Sequence, residues 1–167
     1  MLIKIIFGGA IFISNPTSIW AKETPALICF NVMSLGPAQK FTKATLNDYR
    51  ENDPRIAFSA ACRSGNLQTI LRNGFYGGHK HETVQHKAWA AFRFCSDFLT
   101  RTKETKSGTA APGVRFIPQA LILGGAVPVQ SGGLIVGAIG ATGAPRGFRD
   151  DECARVGIDS IRNSLEF

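Results

Sequence analysis

Three histidines fall within eight residues: His79, His81 and His86. Imidazole is the commonest protein ligand for transition metals and for haem iron. Tyr76 stands just ahead of them, and a phenolate also ligates ferric haem. Glu82 and His86 are four residues apart, which puts them on one helix face, where they are able to share a metal. The same residues also suit an exposed loop leading into a helix, and the spacing does not separate the two readings.

The second candidate lies at Gly140-Ala141-Thr142-Gly143-Ala144-Pro145, between an aliphatic run and an acidic helix start. Free backbone N–H groups there would form a nest for a carboxylate. Arg146 and Arg149 would add charge-assisted hydrogen bonds. A tight turn that needs glycine accounts for the same residues. Lys87 is the third candidate, either facing a pocket, capping the glycine loop, or solvated. Ser-His-Asp, Cys-His and paired-carboxylate sets have no trustworthy spacing here.

The elements that must position these residues follow from periodicity. Residues 38–51 place Phe41, Ala44, Thr45 and Tyr49 near helical spacing, and the segment stops before Pro54. Arg55–Cys62 and Leu67–Arg72 flank a Ser-Gly-Asn turn, so they read as a hairpin. From His81 to Phe98, Val84, Ala88, Ala91, Phe92 and Cys95 recur every three or four residues, a helix. Residues 101–113 are polar and read as a surface loop. Pro118 spoils the apolar run 116–123 as a central strand. Ala126–Val129 and Leu134–Gly140 form a second hairpin. A last helix opens at Asp150, with Ala154, Ile158, Ile161 and Leu165 as its apolar stripe. The order is helix, hairpin, helix, hairpin, helix, an α+β arrangement with helices covering one sheet.

The chain has 167 residues, 44% hydrophobic and 19% charged, enough to bury one core and not disordered by composition. Lys4 followed by the apolar run Ile5–Ile13 and a small residue at Ala21 reads as a signal peptide over residues 1–21. The run is too short to span a bilayer. Export to the periplasm or medium is therefore expected, with no stable membrane insertion. Residues 22–37 read as an extended arm and 38–167 as the domain. Removing Lys4 from a formal +7 leaves +6. The basic residues are dispersed, which disfavours nucleic acid as a partner. Cys29, Cys62, Cys95 and Cys153 make no Cys-x-x-Cys pair, so they are disulfides of unassigned pairing or buried thiols.

Several blocks together resemble one family. Gly65–Gly74 (GNLQTILRNG), Lys87-Ala88, and Gly124–Val129 (GGAVPV) are three of them. Gly133–Pro145 (GLIVGAIGATGAP) and Asp151–Gly157 (DECARVG) complete the pattern. In motif, spacing and order they resemble GlcG/HbpS-like haem-binding domains, from about residue 38 to the C-terminus. Thr142 stands where that family's loop usually carries Ser. Ala60–Arg63 replaces a run ending in Asp, and Asp97-Phe98 replaces a Pro-Thr pair.

The resemblance implies a five-stranded antiparallel sheet flanked by helices, homo-oligomers, and haem as a cofactor in some exported members. It implies a haem or small anionic ligand held between segment 75–86 and loop 140–149. The cofactor-binding set is then His79, His86, Lys87, Thr142, Gly143 and Arg146, with His79, His81 and His86 as metal ligands. A haem-degrading or small-metabolite enzyme and an oligomeric interaction module are the rival readings.

Overall fold

The computed structural model describes residues 27–49 and 55–165. The expected signal peptide lies outside them, as do residues 22–26 of the expected arm. Leu27–Phe30 group apart from the compact unit that begins at Asn31 and are exposed.

Helix α1 spans Leu35–Tyr49. It starts inside the segment expected to be an extended arm. Pro37 sits in its first turn, where a missing N–H costs nothing. Strands β1 (Ala57–Cys62) and β2 (Leu67–Arg72) form the first hairpin, as expected, with Gly65 at φ +81° in the turn. Helix α2 spans Lys80–Arg93 and α3 spans Phe98–Glu104. Strands β3 (Ala126–Ser131) and β4 (Leu134–Thr142) form the second hairpin. Helix α4 spans Gly147–Ile161.

The sheet is antiparallel with order β2-β1-β4-β3. It has four strands among the described residues, not the five that the family resemblance implied. The apolar run 116–123 adds none: it carries Pro118, which has no donor, and Gln119 at φ +67°.

The helix expected over 81–98 ends early, and only its last residue, Phe98, lies in a second helix, α3. The 81–98 segment breaks after Arg93 because Cys95 turns left-handed, at φ +49°. The Ser96 amide then donates to the Ala91 carbonyl and the Cys95 amide to that of Phe92. This is a Schellman cap built without glycine. Asp97 starts α3 by accepting a hydrogen bond from the Leu99 amide at 2.7 Å. The expected loop 101–113 therefore begins with helix.

Two layers of helices enclose the sheet. Helices α1 and α4 bury Phe41, Cys153, Ala154 and Ile161 against Phe58, Val129 and Ile139. Helix α2 covers the other face, where Ala90 and Ala91 meet Phe98, Ile122, Ala126 and Ala138. The Ser59 hydroxyl pins that helix by donating to the Val84 carbonyl at 2.8 Å. Gly140 lets the two backbones close, since a Cβ there would lie 2.2 Å from the Val84 oxygen. All four cysteines are free thiols.

Helices α1 and α4 touch at Gly157, where a Cβ would sit 1.9 Å from the Phe41 ring. Alanine is the better helix former, yet the clash dominates. Gly157→Ala is expected to lose about 1–3 kcal/mol, read as a lower midpoint in urea unfolding. Cys153 gives a second test. Burial pushes its thiol up to about 12, against a hydrogen bond with Tyr49. The folded chain keeps that proton where the unfolded chain has released it. The stability it confers is full below about pH 9 and is lost on the way to 12. Unfolding free energy should fall more steeply over that range in the native chain than in Cys153→Ser.

Candidate functional site

The candidate site centres on a buried ion pair. Lys87, on α2, and Asp150, in the first turn of α4, meet at 2.8 Å with almost no exposure. Lys87 Nζ also donates to the Ala141 carbonyl at 2.8 Å. The other Asp150 oxygen accepts from the Ala144 amide at 2.9 Å. Burial pushes the Lys87 ammonium below its ordinary value, and Asp150 opposes that shift. Burial likewise pushes the Asp150 carboxyl above its ordinary value, opposed by Lys87 and the Ala144 amide. The neighbouring Asp151 is buried too. Its carboxyl is raised by desolvation and held down by Arg155, whose Nε lies 2.8 Å away. Arg155 also reaches Asp97, the cap of α3.

Glycines make this approach possible. A Cβ on Gly125 (φ +89°) would lie 2.4 Å from Asp150 Cβ, and one on Gly143 (φ +127°) would lie 2.5 Å from the Arg55 carbonyl oxygen. Both positions require glycine.

Above the pair lies an open groove of about 500 Å³. Lys87, Asp150 and Thr142 form its floor. Leu99, Leu123 and Phe148 supply apolar walls, and Lys103 and Lys106 supply positive charge, with Gly124, Gly147 and Thr102 between them. Each of the three apolar side chains is about 40% exposed.

The structure brings together two of the residues picked from sequence, Lys87 and Thr142. Gly143 shapes the turn behind them. Arg146 is exposed and precedes α4, its carbonyl accepting from the Arg149 and Asp150 amides. Its side chain does not line the groove. The expected anion nest is already occupied. Residues 140–142 continue β4 and pair with Ala57–Ser59, and Asp150 takes the Ala144 amide.

The histidines do not converge. His79 and His81 are exposed and His86 is half-buried. His79 precedes α2 without capping it through its side chain. Among the described residues no three His, Cys, Asp or Glu side chains gather to hold a metal. The three-histidine centre is therefore not formed, and none of the three lines the groove. Tyr76 lies under Arg72, the guanidinium 5.4 Å from its ring centre.

Sequence reasoning missed α3 as a wall. Thr102, Lys103 and Lys106 fall in the expected loop 101–113, and Leu99 falls between that loop and the helix expected to end at Phe98. The one available signal was Asp97, a capping residue placed just before Phe98.

Comparison with known proteins agrees with this architecture. The model of the family described as "Haem degrading protein HbpS-like" matches residues 33–159. The chain belongs to the HbpS-like family. Among solved structures, protein ORFY of Klebsiella pneumoniae superposes with a TM-score of 0.79 at 22% identity, covering 83% of this chain and 97% of that one. A double mutant of HbpS from Streptomyces reticuli gives 0.75 at 27%, covering 83% and 93%. A PduOC:heme complex gives 0.72 at 18%, covering 78% and 95%, which shows the fold alone. No curated protein sequence matches the chain.

The ion pair predicts an asymmetric mutational response. Lys87→Met leaves a buried carboxylate without its partner and should cost about 3–5 kcal/mol. Adding Asp150→Asn removes the orphaned charge and keeps an acceptor for Ala144. The double variant should recover much of the loss in urea unfolding, and two additive losses would contradict the pairing.

Proposed function

We propose that this chain is an exported haem-binding protein that holds haem, or a tetrapyrrole of the same shape and charge, in the groove between α3 and the β4–α4 connection. The carrying observation is the composition of that groove. A flat apolar ligand with carboxylates suits apolar walls beside a basic edge. Leu99, Leu123 and Phe148 offer the walls, and Lys103 and Lys106 the edge. A volume of about 500 Å³ lies within the ordinary range of ligand sites.

Membership of a haem-related family supports the ligand class. So does a fold neighbour described as a heme complex. This reading moves one side of the site expected from sequence: α3 replaces segment 75–86, while Thr142, Gly147 and Phe148 of the expected loop 140–149 line the groove.

In this reading Lys103 and Lys106 bind the ligand's carboxylates and the three apolar side chains cover its faces. Lys87, pinned by Asp150, keeps the floor closed to water. Haem would supply the redox-active iron. Export rests on Lys4 and the apolar run behind it. Homo-oligomers are part of the proposal, supported by Phe75 and Phe116, which are more than three-quarters exposed.

The test is a haemin titration of the purified chain read at the Soret band. Saturable one-site binding is expected, weakened at least about tenfold in Lys103→Glu/Lys106→Glu. A non-saturating change, equal in both proteins, would sink the reading.

A further inference from the structure

Resting on the groove as the tetrapyrrole site, we propose that it recognises a porphyrin by its apolar ring and its carboxylate edge, not by its central metal. Its ligand class is then the dicarboxylate porphyrins, metal-free ones included.

Haem iron is held in proteins by imidazole, thiolate, thioether or phenolate groups. The described residues that line the groove offer none of these. Lysines are the nitrogen-bearing side chains there, and an ammonium has no lone pair to give. Lys87 Nζ is already committed to Asp150 and to the Ala141 carbonyl. The oxygen-bearing groups of the lining are Asp150, held by Lys87 and the Ala144 amide, and the neutral hydroxyls of Thr102 and Thr142, which are weak ligands beside imidazole, thiolate, thioether or phenolate.

The surface does distinguish the ring's edge. Lys103 and Lys106 lie three positions apart, at the end of α3 and just beyond it, and both open onto the same groove. Lys103 lies in the last turn of α3 and Lys106 follows its C-cap Thr105, so the two ammonium groups come from one short stretch of chain in the groove lining. Porphyrins of the haem type carry two propionates on neighbouring positions of one edge, which calls for two adjacent cations. The apolar residues fall elsewhere along the groove: Leu99 one turn earlier on α3, Leu123 before the Gly-Gly turn, and Phe148 in the first turn of α4. Charge at one edge and apolar contact over the face describe a site selective for the ring and its acids.

The floor supports this division. Lys87 would draw an anion inward if it were free, but Asp150 neutralises it. The carboxylates are therefore directed to the rim, and the ring to the walls.

The experiment uses the full chain with three probes: haemin, metal-free protoporphyrin IX, and octaethylporphyrin, which has no carboxylates. Protein fluorescence quenching and the Soret band report binding. Haemin and protoporphyrin IX should bind with Kd values within about threefold of each other, and octaethylporphyrin at least about tenfold more weakly. Lys103→Glu/Lys106→Glu should weaken both acids alike, and added salt should do the same. His79→Ala and His86→Ala should leave the haemin spectrum unchanged.

Haemin binding at least about tenfold tighter than protoporphyrin IX, or a Soret shift lost in a histidine variant, would overturn metal-blind recognition while leaving haem binding standing. Failure of both acids to saturate would overturn the groove reading itself.

Discussion

The contact between Lys87 and Asp150 is the constraint on which the rest of the molecule is arranged. It joins the middle of α2 to the first turn of α4, across the end of β4. Two charges taken out of water this completely are costly, and their attraction repays the cost only where further hydrogen bonds complete the geometry. Here they do: Lys87 has the Ala141 carbonyl and Asp150 has the Ala144 amide. The glycines around the pair follow from it. Gly125 has no Cβ because Asp150 stands there, and Gly124 has none because the Gly147 carbonyl does. A buried ion pair adds little net stability once desolvation is counted, but this one is made only when α2 and α4 stand in this register. In this fold it sets where α4 begins relative to the sheet, and so where the groove opens.

Much of this was legible in the sequence. The two hairpins appear close to where they were expected, and the glycines in their turns, Gly65, Gly132 and Gly133, all have left-handed backbone. The last helix follows its apolar stripe. What was not legible has a common cause. Cys95 closes α2 in a conformation normally signalled by glycine. With no glycine to read, the helical period through Cys95 looked continuous and α3 disappeared into a loop. The start of α1 failed conversely: the expected arm ran through Pro37, but proline is as much at home in the first turn of a helix as outside one.

The site shows the limits of proximity along a chain. His79, His81 and His86 are close in sequence, yet successive helical residues turn by about 100°, so His81 points well away from the other two. His79 and His86 share a side of α2 but lie about 10 Å apart along its axis. Lys87 and Asp150 are 63 residues apart and in contact. Asp150 was readable only as an acidic residue favouring a helix start. It does occupy that place, and it also answers Lys87. Nothing in a single sequence states such a pairing. The family resemblance came nearest, by singling out Lys87-Ala88 and the glycine loop together.

The pairing also decides what kind of ligand site remains. A lysine at the bottom of a cleft, left free, makes a deep point charge suited to a compact anion. Asp150 cancels that charge and seals the Gly140–Pro145 turn by taking its Ala144 amide. The anion nest expected at that turn is thus filled by the chain's own carboxylate. Positive charge survives at Lys103 and Lys106, beside leucine and phenylalanine side chains that are only partly covered. A neutral floor, apolar walls and a charged rim favour a broad ligand with its acids at one edge over a small one with its charge at the centre. That preference comes from α3, which the sequence hid, acting on a floor that the ion pair had already neutralised.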